Sequence, residues 1–121
     1  MSQRDRSRPT FPLLWECPGG SVTAGESSLE GAIREVFEEV GVSLHGESGR
    51  VVFSRVRKDI GGKRFNDIMD VWLFHHDGEA SLEDATTDEV STVQWMTRKE
   101  IKSLWENGML VPTLTYFFDL F

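Results

Sequence analysis

The sequence predicts an α/β domain. Two stretches carry helix-start signals, Ser27 with Glu30 and Thr97 with Glu100, each followed by apolar residues at helical spacing. Other stretches read as strands. Val51 to Lys58 alternates apolar and polar residues, Ile68 to Phe74 is almost unbroken apolar, and Thr92 to Met96 carries Trp95. No internal repeat, linker or low-complexity segment interrupts this alternation.

At 121 residues the chain is expected to form one domain, 1–121, large enough for a core but not for two. A net charge of −7 and a pI near 4.9 argue against binding nucleic-acid polymers, which rests on lysines and arginines that release counterions. A small phosphorylated ligand is still allowed, because metal ions neutralise charge locally. One cysteine rules out an internal disulfide, and no apolar segment approaches membrane-spanning length. Without a visible signal peptide, the expected location is cytoplasmic.

Residues 1 to 14, MSQRDRSRPTFPLL, are basic and proline-bearing and do not read as a long strand. Pro18-Gly19-Gly20 and Ala24-Gly25 then supply turn chemistry. The helix after them begins with the Ser27 and Glu30 capping box. Leu29, Ile33, Val36 and Val40 form its core-facing stripe, and Gly41 is a natural stop. On another face Glu35 lies three residues before Glu38 and four before Glu39, so the carboxylates come within side-chain reach of one another. A solvated acidic face is the bland explanation. The glycine loop directly ahead favours another, since hard oxygen ligands on a rigid element suit a hydrated magnesium ion that also binds substrate phosphates.

Ser43 to Gly49 reads as a polar connection, and Ile60-Gly61-Gly62-Lys63 as a hairpin turn between the strand at 51–58 and one spanning Arg64 to His76. The apolar run in that second strand suits a central strand with both faces covered. Asp67 and Asp70 interrupt it and need partners: a ligand, Arg57, Arg64 or a backbone amide. His75 and His76 read as surface residues. Asp77 to Asp88 is an acidic, mobile loop ending at Glu89. Thr97 starts a helix with Ile101, Leu104 and Trp105 on its apolar face, ended by Gly108. The aromatic segment Thr113 to Phe121 is expected to close the core rather than line a stacking pocket. Cys17 is expected to be a buried hydrophobe, the alternative being a reactive thiol.

The stretch Gly20 to Val42, GSVTAGESSLEGAIREVFEEVGV, resembles the box of the Nudix, or MutT-like, hydrolase family. That pattern runs Gly, five residues, Glu, seven residues, Arg-Glu, an apolar residue, any residue, Glu-Glu, any residue, Gly, apolar. Gly20, Glu26, Arg34, Glu35, Val36, Glu38, Glu39, Gly41 and Val42 fill every fixed position without a gap. Trp15-Glu16-Cys17-Pro18-Gly19-Gly20 is similar to the short strand that enters the box in that family. The resemblance implies a mixed, strongly twisted sheet sandwiched between helices, with the box as loop and helix at its edge. Family domains begin with two strands ahead of the box, and Gln3-Arg4 resembles the end of the second. The first strand and most of the second are therefore expected to be missing, which predicts either a homodimer that pairs open edges or a weakened fold.

For function, the resemblance implies a metal-dependent hydrolase that cleaves a diphosphate linkage in a nucleoside diphosphate joined to another moiety. Magnesium, or manganese in its place, would be held by Glu38 and Glu39, with Glu35 as further ligand or base and the Gly19 carbonyl as a donor. Glu89 is the residue that best resembles the extra glutamate some relatives bring from the loop ahead of a late strand; Glu83, Asp84 and Asp88 compete for that place. Arg34 would act in the catalytic set, and Glu26 and Gly20 would support it. Two alternatives stand beside this one. Isopentenyl diphosphate isomerases share the fold and use a nearby cysteine, for which Cys17 is the candidate, but their box is degenerate where this one is complete. A nucleotide sensor would bind without hydrolysis and would have no need of the full carboxylate set.

Overall fold

The computed structural model describes residues 1–121 as two antiparallel sheets, three α-helices and two short 3-10 turns. The front sheet has the order β2-β1-β5, with β1 at Ser2–Arg4, β2 at Trp15–Glu16 and β5 at Val90–Val93. Residues 2–4, which include Gln3-Arg4, form a strand three residues long, and it is the middle one. Ser2 is fully buried, and its Oγ donates to the Glu16 carbonyl at 3.3 Å. The Met1 amine donates to the Gln94 carbonyl at 2.8 Å and the Gln94 N–H returns to the Met1 carbonyl at 2.9 Å, which closes the ladder between β1 and β5. After Arg4 the chain turns back on itself, with the Leu13 N–H on the Arg4 carbonyl and the Arg4 N–H on that of Leu14.

The first helix, α1, runs Ser28–Val40 and has both predicted ends. Ser27 accepts from the Glu30 N–H while the Glu30 carboxylate accepts from the Ser27 N–H, so two first-turn donors are satisfied. At the other end Gly41 takes φ 68°, and its N–H caps the Phe37 carbonyl. The loop from Asp77 to Glu89 returns to this end, where the Thr86 and Thr87 N–H groups both donate to the Glu38 carbonyl. That contact carries Glu89 to the side of the helix.

A long hairpin makes the second sheet, β3 at Gly49–Ile60 and β4 at Lys63–Phe74, turning through Gly61 and Gly62 with φ of 58° and 74°. The expectation of a central strand fails here. β4 hydrogen-bonds to β3 alone, and Ile68 is 71% exposed opposite Val56 at 64%. An apolar run reports affinity for burial but not which neighbour supplies it; only one face of the hairpin, with Phe53, Met69 and Val71, packs against the core. The strand expected at Thr92 to Met96 lies earlier, at Val90–Val93, because Gln94 ends the ladder, and Trp95 projects beyond it at 60% exposure.

Helix α2, Arg98–Glu106, carries the predicted Thr97 and Glu100 capping box and buries Ile101. The chain then passes through Leu110 and Val111, a 3-10 turn at Pro112–Leu114 and a last helix, α3, at Phe117–Leu120. Ile101, Leu110, Val111, Leu114 and Tyr116 are the buried core cluster, as expected for the aromatic end, and Tyr116 stacks on Phe53 at 5.0 Å. The mixed character of the strand layer is confined to one parallel bridge, Trp15 to Leu110, tied by bonds from Trp15 N–H to Met109 and from Val111 N–H to Trp15.

Candidate metal-binding catalytic site

Arg34 stands at the centre of the box. Its Nη2 donates to Glu26 Oε1 at 2.6 Å and to the Ser21 carbonyl at 2.8 Å, and its Nε donates to Glu26 Oε2 at 3.1 Å. Its Nη1 reaches Glu35 at 2.9 Å and Glu38 at 3.1 Å. A planar guanidinium is suited to such a fork, and the two-point pairing with Glu26 fixes its plane. Glu26 also accepts from the Thr23 N–H at 2.8 Å, so the loop is stitched to the helix. The Arg34 hydrogen bonds hold the Glu26 carboxyl down to about 2, and the same contacts raise the Arg34 pKa. Glu35 lies against Gly20: a Cβ built there would meet the Glu35 carboxylate, which would have to swing aside.

Glu39 points elsewhere. It is 3% exposed, accepts from the Gly19 N–H at 3.2 Å, and faces Glu89 within hydrogen-bonding reach. Burial pushes its carboxyl up to about 8 against the pull of the Gly19 N–H, and Glu89 adds to the push. Glu89 in turn pairs with Arg8 at 2.6 Å, and Glu16 with Arg4 at 2.6 Å. Of the acidic loop residues, Glu89 is the one brought to Glu39, while Asp84 lies against Gly41. Arg8 and Arg4 are not among the residues expected here. Arg4 stands out in the sequence only through Gln3-Arg4 and Arg8 only through the basic composition of 1–14, and neither signal names a partner.

The three box carboxylates, expected to crowd together, are divided: Glu35 and Glu38 share Arg34, and Glu39 faces inward. No three acidic or histidine side chains close round a point suited to a metal ion in this arrangement. The donor set nevertheless fits a hard divalent cation. A buried carboxylate facing a second one, with a single N–H as its donor, is unfavourable unless a proton or a cation sits between them.

The other residues singled out from the sequence are held by other partners or lie beside the group without joining it. Asp67 pairs with Arg57, and Asp70 accepts from Ser54 Oγ at 2.6 Å and Ser28 Oγ at 2.7 Å. His76 stacks on Trp95 at 6.4 Å, and His75 is exposed. Cys17 is a half-buried free thiol that burial pushes up to about 11, which disfavours the thiolate a nucleophile needs.

The chain is similar to an uncharacterized Nudix hydrolase of Listeria innocua, lin0387, at 29% identity over 119 residues, covering 98% of this chain and 64% of that protein. It is 35% identical over 94 residues to a Mycobacterium tuberculosis protein whose name places it with the MutT mutator proteins, covering 75% of this chain and 36% of that one. It is 30% identical over 84 residues to a Bacillus subtilis protein whose name proposes an 8-oxo-dGTP diphosphatase, covering 69% and 50%. The chain therefore spans less than two thirds of the length of these relatives. The NUDIX domain model matches residues 1–116, and with a complete box held by Arg34 inside that span, the chain belongs to the Nudix family.

Proposed function

We propose that this protein hydrolyses a diphosphate linkage in a nucleoside diphosphate joined to another moiety, with a divalent metal ion as cofactor. The observation that carries this is the buried Glu39 facing Glu89 against the Gly19 loop, on the same helix as Glu35 and Glu38, which pair with Arg34. The names of the Mycobacterium and Bacillus relatives support the same class of chemistry. Glu38, Glu39 and Glu89, with the Gly19 carbonyl, are the groups we assign to hold magnesium or manganese. Bound there, the metal supplies charge neutralisation at phosphate oxygens and a more acidic water. Glu35 is a further ligand or the group that accepts the proton of the attacking water. Arg34 balances the carboxylates and holds Glu35 and Glu38 in register, a role that rests on Glu26 fixing its plane. The burial that disfavours the Cys17 thiolate speaks against the isomerase alternative.

The test is a magnesium-dependent phosphate-release screen over nucleoside triphosphates, nucleotide sugars, ADP-ribose, dinucleoside polyphosphates and coenzyme A. We expect Glu38→Gln to lower turnover of the best substrate by about 10²-fold or more with an unchanged melting temperature. Full activity in Glu38→Gln would overturn the assignment.

A further inference from the structure

Residues 5–14 leave β1 after Arg4 and return to β2 as an irregular loop that runs beside Glu89, whose carbonyl accepts from the Asp5 N–H at 2.9 Å. The backbone of this loop is held in an unfavourable form. Phe11 takes φ 48° and Leu13 φ 64°, left-handed values at which a residue with a Cβ is strained. Such conformations persist only where surrounding contacts over-determine them. Here the loop is pinned by Arg4 Nε, which donates to the Thr10 carbonyl at 2.7 Å, by the Phe11 ring packed toward Gly61 and the core, and by Arg8 Nη1, 2.6 Å from Glu89 Oε1.

Of the arginines paired with carboxylates inside the fold, Arg8 is the least well held. Arg4 adds the Thr10 carbonyl to its Glu16 partner, and Arg34 and Arg57 make two-point forks on Glu26 and Asp67. Arg8 has the Glu89 ion pair and an Nε–H that is buried without an acceptor. An unpaired buried donor is costly, so Arg8 is kept in place by its charge on Glu89. The same carboxylate faces the buried Glu39, and the acidic side chains of the site do not yet converge on one point. Glu39 and Glu89 together balance one divalent cation. With that ion between them, the Arg8 guanidinium would be a surplus positive charge at close range, and the two cations repel.

We propose that residues 5–14 are a strap tied down by the Arg8–Glu89 ion pair in the metal-free protein, and that a divalent cation binding between Glu39 and Glu89 displaces Arg8 and loosens the strap. This rests on the hydrolase reading above, which supplies the cation, and adds to it a competitor that lies outside the box. Arg8 therefore opposes metal binding where a residue that merely oriented Glu89 would assist it. The strained backbone at Phe11 and Leu13 loses one of its anchors when the metal arrives.

The experiment titrates manganese(II) alone into the wild-type chain, Arg8→Gln and Arg8→Lys, counting the free ion by electron paramagnetic resonance. Amide hydrogen exchange of the wild type is followed by mass spectrometry with and without the metal. We expect Arg8→Gln to bind manganese about threefold more tightly than wild type or better, and Arg8→Lys, which keeps the charge, to stay nearer wild type. Amides of residues 5–14 should exchange faster in the metal-loaded wild type, while those of α1 do not. Equal or weaker binding by a folded Arg8→Gln, or an equal gain in Arg8→Lys, would overturn the proposal and leave the hydrolase reading standing. Unchanged exchange of residues 5–14 with metal bound would do the same, and because it needs only the wild type it decides the matter even where Arg8→Gln fails to fold. No manganese binding by wild type or Arg8→Gln would overturn both. Binding by Arg8→Gln alone would uphold both.

Discussion

Glu39 is a residue whose environment contradicts its charge. Its ionised form loses hydration on burial and faces Glu89, and the Gly19 N–H offsets only part of that. The consequence for stability has a definite sign. The folded carboxyl titrates at about 8 and an unperturbed one at 4.5, so across that window the folded state holds a proton that the unfolded chain has released. Stability contributed by Glu39 is then lost as pH rises from about 5 to about 8 and is level outside that range. We predict that the metal-free protein melts at progressively lower temperature over this window and that Glu39→Gln shows a clearly shallower decline. Matching declines in the two proteins would show that Glu39 is not the group responsible. The residue type and spacing of Glu39 were legible in the sequence. Its inward orientation was not, because spacing on a helix gives a face and not what covers it.

Among the elements, α1 was specified locally and the hairpin was not. The caps of α1 depend on Ser27, Glu30 and Gly41 within the same short stretch, so nothing distant can overrule them cheaply. Gly41 carries a second constraint from the fold, since a Cβ there would press on the Asp84 and Ala85 backbone as well as strain a φ of 68°. Gly41→Ala is expected to cost about 1–2 kcal/mol from the left-handed backbone alone, more with the contact, read as a lower urea midpoint. An unchanged midpoint would mean that the loop moves aside freely. β4 behaves differently. Its apolar run promised two covered faces, yet Ile68 stands open opposite Val56. Strand burial depends on neighbours brought from elsewhere in the chain, and residues 63–74 do not encode them.

At the scale of the molecule, the site joins parts that lie far apart in sequence: α1, the Asp77 to Glu89 loop, and the segment after β1 that brings Arg8 to Glu89. A ligand that binds only the assembled site must stabilise the whole fold. For a site filled at about 100 times Kd this amounts to about 2.7 kcal/mol. We predict that magnesium raises the melting temperature by several degrees, that a chelator reverses the rise, and that Glu89→Gln loses most of it. A magnesium shift of full size in Glu89→Gln would exclude Glu89 from the binding group. The sequence by itself determined the capped helix, the glycine loop and the acidic and basic residues available to the site, because those are set by neighbours within a few turns of chain. Only the tertiary structure decided that Arg34 gathers Glu26, Glu35 and Glu38, and that Glu39 meets Glu89. Those outcomes depend on which distant side chains the packed sheets bring within hydrogen-bonding distance, and no local periodicity records that.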